Sequence, residues 1–140
     1  MKIILDGMGG DNAPYAVVEG AVLASKEIEH QILIIGKEEL INEELKKYSY
    51  DGEKIKVVHA EEVISNDDAP VRAVRSKKNS SIVMGINMVK RGEGDIFISA
   101  GSTGALLAGG LFILGRIQGI DRPALASIYP ILGGVPSLLV

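Results

Sequence analysis

Asp95-Ile96-Phe97-Ile98-Ser99-Ala100-Gly101-Ser102-Thr103-Gly104-Ala105-Leu106 is the stretch that decides the fold. An apolar run gives way to a turn of very small residues, and a second apolar run continues from Ala105 to Leu114. The order reads as strand, tight turn, helix. Such a turn aims backbone N–H groups and two hydroxyls at one point, at the positive end of a helix dipole. The ligand that fits is a phosphate or another oxyanion. Ser102 or Thr103 supplies the cap, as either would at any helix start. Gly101 before the cap and Gly104 inside the first turn remove side chains where an anion approaches. Gly101, Ser102, Thr103 and Gly104 are therefore the candidate phosphate-binding residues. A Walker loop requires a lysine after its glycines; none stands here, which argues against ATP or GTP hydrolysis.

Working outward, the same alternation recurs. Lys2 to Asp6 reads as a buried strand, followed by a glycine-rich loop from Gly7 to Ala13. Pro14 suits a helix's first turn, and Val17, Val18, Ala21, Val22 and Leu23 form its apolar stripe, with Glu19 and Lys26 outside it. Gln31 to Ile35 is a second strand, closed by Gly36. Glu38 to Tyr48 is a charged amphipathic helix with Leu40, Ile41 and Leu45 inward. Ile55 to Val58 is a third strand. Asn79 or Ser80 caps a helix reaching about Arg91, with Ile82, Val83, Ile86 and Val89 toward the core. Ile96 to Ser99 is a fourth strand, and Ser137 to Val140 reads as a fifth. The segment from Gly104 to Gly115 is apolar on nearly every face, as a fully buried helix or one meeting a second subunit would be. The alternation predicts an α/β fold, a parallel sheet with helices on both faces. Residues 1–140 form one domain or part of one. A chain ending in an apolar strand predicts an N-terminal piece of something longer.

Composition bounds the function. Apolar residues make up 46% and charged residues 24%, with 17 glycines and no cysteine. This suits a globular α/β chain with many tight turns; disulfides, thiolate metal sites and a cysteine nucleophile are excluded. The net charge of −3 gives no reason to expect nucleic acid. The N-terminus lacks the long apolar run of a signal peptide, and Ala105 to Leu114 is too short and glycine-rich to span a bilayer. A cytoplasmic protein is the expectation.

Two further loops fall where open α/β sheets bind ligands. Asp6-Gly7-Met8-Gly9-Gly10-Asp11-Asn12 holds more glycine, aspartate and asparagine than a plain turn requires. Gly9, Gly10, Asp11 and Asn12 are expected to wall the anion site. The dinucleotide fingerprint fails, because Asn12 stands where its third glycine belongs. Asp6 and Asp11 would repel a pyrophosphate, and Glu38 is the only candidate for a ribose contact. The region from His59 to Ser81 reads either as a solvated charged face or as a basic patch beside the anion. Lys77, Lys78 and Ser80 are its candidate substrate-binding residues. Asp67 and Asp68 read as caps and turns sooner than as Mg²⁺ ligands, His59 as structural sooner than as an acid/base. No metal and no cofactor are expected.

Leu5-Asp6-Gly7-Met8-Gly9-Gly10-Asp11-Asn12-Ala13-Pro14, Asp67-Asp68-Ala69-Pro70, Arg75-Lys77-Lys78-Asn79-Ser80-Ser81, Ser99 to Leu106, and Gly119-Ile120-Asp121-Arg122-Pro123-Ala124-Leu125-Ala126 together resemble the bacterial acyl-carrier-protein:phosphate acyltransferases, the PlsX family. Ser102 stands where asparagine is expected most often and Gly7 where alanine is; both keep a small or hydrogen-bonding side chain. The resemblance implies a three-layer α/β/α fold with a mainly parallel sheet, related to isocitrate dehydrogenases and phosphotransacetylases. It implies transfer of a fatty acyl group from acylated acyl carrier protein to orthophosphate, giving acyl phosphate for phospholipid synthesis. It also implies a homodimer, with peripheral contact to the inner face of the membrane through a C-terminal part beyond this chain. The competing expectation is a non-catalytic module that binds a nucleotide or phosphometabolite.

Overall fold

Branched apolar residues dominate the strands because both faces of the sheet are covered, so alternation is absent. The computed structural model describes residues 1–121, 124–129 and 137–139. Strands β1 (Lys2–Asp6), β2 (Gln31–Gly36), β3 (Ile55–His59) and β4 (Ile96–Ile98) form one parallel sheet, ordered β3-β2-β1-β4. Ile3 is opposite Ile32 on one side and Ile96 on the other. The fold is α/β, as the alternation predicts.

Register sorts the side chains into two cores. Ile32 and Ile34 face helices α1 (Tyr15–Glu27) and α2 (Glu38–Leu45), packing with Val18, Ala21, Val22, Ile41 and Leu45. Ile4, Leu33 and Ile35 point the other way, against Met88 of α4 (Ser81–Lys90). A third cluster joins α4 to α3 (Pro70–Ser76) and α5 (Thr103–Gly109) through Val74, Ile82, Val83, Ala105 and Ala108. Helices thus cover both faces. Ile96 and Ile98 register with Ile3 and Leu5 on the α1 side, yet remain about half exposed at the sheet edge.

Several elements differ from expectation. Helix α3 lies in what reads as a charged loop. Pro70 supplies a first-turn residue with fixed φ, and Ala73 and Val74 are buried while Arg72 and Arg75 stay outside. Leu23 and Leu40, placed inward by periodicity, are exposed. Helix α2 ends at Leu45, short of Tyr48. After Gly109, where a Cβ would strike Ile86 Cδ1, the helix widens into a π-helical turn over Gly110–Leu114. That segment is not fully buried, since Phe112 and Leu114 are half exposed. The last strand, β6 (Ser137–Leu139), pairs antiparallel with β5 (Ser127–Tyr129) in a separate two-stranded sheet. Val140 and Arg122-Pro123 of the sequence motifs lie outside the described residues.

Candidate functional site

The chain reverses its direction of strand addition between β1 and β4. From β1 the sheet grows through β2 to β3 on one side, then β4 is added on the other. Ligands of open α/β sheets bind at the carboxyl ends of strands flanking such a reversal. Leu5 is opposite Ile98, so the Asp6–Asn12 loop and the Ser99–Gly104 loop leave the sheet side by side.

The two loops touch backbone to backbone. A Cβ added to Gly9 would lie 2.6 Å from Asp6 Oδ2 and 2.8 Å from the Gly101 nitrogen. One added to Gly101 would meet Gly9 Cα at 3.2 Å. Glycine at both positions is what permits this approach. Gly10, at φ +96°, turns the first loop over Ala100. Gly10, Asp11 and Asn12 are exposed, and the Asn12 carbonyl accepts from Ala16 N at 3.0 Å at the entry to α1.

Beneath the loops sits Asp6, 2% exposed. Its Oδ1 accepts from the Met8 amide at 3.1 Å and its Oδ2 from the Ser99 hydroxyl at 2.6 Å. Ser99 Oγ in turn accepts the Gly101 N–H at 3.0 Å. Ser99, which no local motif singles out, is thus the junction between the two loops. Only the adjacency of β1 and β4 reveals it, because 93 residues separate it from Asp6.

Ser102 is the helix cap. Its Oγ accepts from Ala105 N at 3.3 Å, and its carbonyl from Leu106 N at 3.0 Å. Intrahelical bonding therefore begins at Leu106, leaving the Thr103 and Gly104 amides without intrahelical acceptors. Thr103 is exposed. Gly104 has a packing reason: a Cβ there would lie 2.7 Å from Pro70 Cγ, at the start of α3. The Gly101 N–H, by contrast, is turned onto Ser99 and is not presented outward. Of the amides expected to converge on an anion, those of the first helical turn remain.

The third candidate group is engaged elsewhere. Lys77 Nζ donates to Asp68 Oδ2 at 2.6 Å and to the Val63 carbonyl at 2.9 Å, tying the preceding loop to α3. This bond, with those from Ser65, holds the Asp68 carboxyl below its ordinary pKa. Ser80 is fully buried; its hydroxyl donates to the Lys77 carbonyl and caps α4 at Val83 N. Lys78 is exposed, with a 3.4 Å contact to the Val74 carbonyl. His59 is exposed at the end of β3 and accepts from the Glu38 amide at 3.5 Å, in keeping with a structural part. No cluster of three metal-ligating side chains occurs among the described residues. No helix among them is long and apolar enough to cross a membrane.

Fold and loops together define a class: a parallel α/β protein in which two glycine-rich loops meet at the point where strand order reverses. Within that class the assignment is specific. All of residues 1–140 match the model of the family described as fatty acid synthesis protein, and the chain belongs to that family. Among its relatives are proteins named phosphate acyltransferase. That of Clostridioides difficile (strain 630) is 56% identical over 130 residues, covering 93% of this chain and 38% of the relative. That of Alkaliphilus oremlandii (strain OhILAs) is 53% identical over 139 residues, covering 99% and 42%. That of Clostridium beijerinckii (strain ATCC 51743 / NCIMB 8052) is 58% identical over 131 residues, covering 93% and 39%. The chain thus spans about two-fifths of the length of these relatives.

Proposed function

We propose that this chain forms the phosphate-handling part of an acyltransferase that moves a fatty acyl group from acyl carrier protein to orthophosphate. The observation that carries the reading is the contact of the Gly9 and Gly101 loops at the β1–β4 reversal, with the Thr103 and Gly104 amides opening α5 beside it. The relatives' shared name supports the reaction class.

The chemistry asks little of the protein beyond placement. Phosphate is largely dianionic near neutral pH and is already a nucleophile. One of its oxygens attacks the thioester carbonyl; the tetrahedral oxyanion collapses, the carbon–sulfur bond breaks, and the carrier's thiolate leaves with its electron pair. The protein holds phosphate against the thioester and stabilises the oxyanion. No covalent acyl-enzyme is required. In this reading Gly101, Ser102, Thr103 and Gly104 hold phosphate, with Gly101 shaping the backbone and its neighbours donating. Gly9, Gly10, Asp11 and Asn12 form the adjoining wall. Lys78 is the exposed cation of its group that meets the acidic carrier; Lys77 would first have to release Asp68, and Ser80 acts from below by fixing α4. Dimerisation and contact with the membrane surface belong in this proposal to sequence beyond residue 140, and the 140-residue chain is inactive alone.

The test is a comparison of acyl phosphate formation by a protein of the relatives' full length and by residues 1–140, with acyl carrier protein thioester and phosphate. The Ser102→Ala/Thr103→Ala double variant of the long form should raise the KM for phosphate. Unaltered phosphate dependence in that variant removes the assigned cradle. Stabilisation by nucleotides, with none by phosphate, would instead favour a non-catalytic nucleotide-binding module.

A further inference from the structure

A buried carboxylate demands an explanation, because burial of an ionised group is costly unless its bonds repay it. Asp6 has 2% exposure, and its hydrogen-bond partners among the described residues are the Met8 amide and the Ser99 hydroxyl, with no cation. Asparagine or serine would serve an ordinary turn at lower cost. The charge does one thing that neither would: it can only accept, so it fixes the direction of the Ser99 hydroxyl. With its proton committed to Asp6, Ser99 Oγ presents lone pairs to the Gly101 N–H. The polarity runs in one direction, from amide to hydroxyl to carboxylate. It starts at Gly101, one residue before the Ser102 cap, and ends at Asp6; a Gly9 Cβ would strike both Asp6 Oδ2 and the Gly101 nitrogen.

We propose that Asp6 and Ser99 are a positioning pair, pinning the two glycine loops in the geometry that lets the first turn of α5 receive phosphate. The proposal rests on the phosphate reading given above and adds to it the residues that preset the cradle without touching the ligand. The charge beneath the loops is tolerated because the pin joins segments that no backbone bond of the sheet connects beyond Ile98. The 2.6 Å separation is that of a charge-assisted bond, stronger than a neutral one.

The experiment uses inorganic phosphate and the ¹⁵N-labelled chain, following amide resonances by NMR. In the native sequence, phosphate should shift the Ser102, Thr103 and Gly104 amides. Ser99→Ala should weaken that response about tenfold, the loss expected for one such bond, and should move the Gly101 proton upfield in the absence of phosphate. Ser99→Thr, which restores a hydroxyl, should recover both signals; a merely space-filling role for Ser99 predicts no such recovery. Asp6→Asn should match Ser99→Ala, and the double variant should be no weaker than either. If Asp6→Asn does not fold, the alanine–threonine comparison at Ser99 decides alone. Native-like phosphate response and Gly101 shift in folded Ser99→Ala overturn the pin while leaving the phosphate reading intact. Absence of any phosphate response in the native chain overturns the phosphate reading, and the pin's assigned purpose with it.

Discussion

Lys77 reaches across nine residues to place its ammonium 2.6 Å from Asp68 Oδ2 and 2.9 Å from the Val63 carbonyl. The contact converts what reads as a loose basic tract into a clasp that holds the approach to α3. Pro70 then starts α3 against Gly104, so the clasp indirectly supports the glycine loop at the sheet's reversal.

That clasp sets a dependence on pH. The Lys77 bond depresses the Asp68 carboxyl in the folded chain below its ordinary value of about 3.9. A depressed carboxylate contributes stability above its unfolded pKa, and that contribution is lost as pH falls through the folded value. The difference in melting temperature between the native chain and Asp68→Asn should be greatest near neutral pH. It should narrow in acid below about pH 4 and close at still lower pH. A gap that stays constant across the acid range would mean that the ion pair contributes nothing. The pair is partly exposed and so partly screened, and added salt should shrink the gap as well.

Gly9→Ala should separate the loops. The added methyl would lie 2.6 Å from a buried carboxylate oxygen and 2.8 Å from a backbone nitrogen, neither of which can yield cheaply. Overpacking of this kind costs about 1–3 kcal/mol. Urea unfolding should show that loss, and the phosphate-dependent amide shifts should vanish. A variant as stable and as responsive as the native chain would contradict the packing of the two loops.

Gly20 gives the opposite expectation. It lies within α1, and a Cβ there would meet nothing within 4 Å. Alanine lowers the backbone entropy lost on helix formation, so Gly20→Ala should stabilise the chain by about 0.5–1 kcal/mol. A fall in the urea midpoint would show that something packs on this position.

Ser80→Ala tests the capping of α4. The hydroxyl accepts from Val83 N and donates to the Lys77 carbonyl while fully buried. Losing it should cost about 1 kcal/mol, read from chemical denaturation. Ser80→Thr or Ser80→Asp, which keep a capping oxygen, separate the cap from the space it fills; no loss in the alanine variant would dismiss the cap.

Why some of this was legible beforehand follows from the range of each interaction. Lys2 to Asp6 and Gln31 to Gly36 announce themselves because strands buried on both faces need continuous branched apolar residues. The cap at Ser102 is legible because it spans three residues. Helix α3 was hidden, since seven residues with two arginines carry too short an apolar stripe to distinguish helix from loop. The Lys77–Asp68 pairing is hidden for a related reason: a charge run discloses its members and not their partners. Leu23 and Leu40 fit a helical period but point outward, because periodicity gives the spacing of a stripe and tertiary packing sets its width.

Local order in the chain alone determined the α/β class, the glycine loops and their place after strands, since each depends on residues a few positions apart. Only the folded molecule decided that β1 and β4 are neighbours, and hence that Asp6 meets Ser99, that the Gly101 amide turns inward, and that Gly104 lies under Pro70. Such contacts join residues tens of positions apart; sheet order brings them together, and no spacing along the chain encodes it.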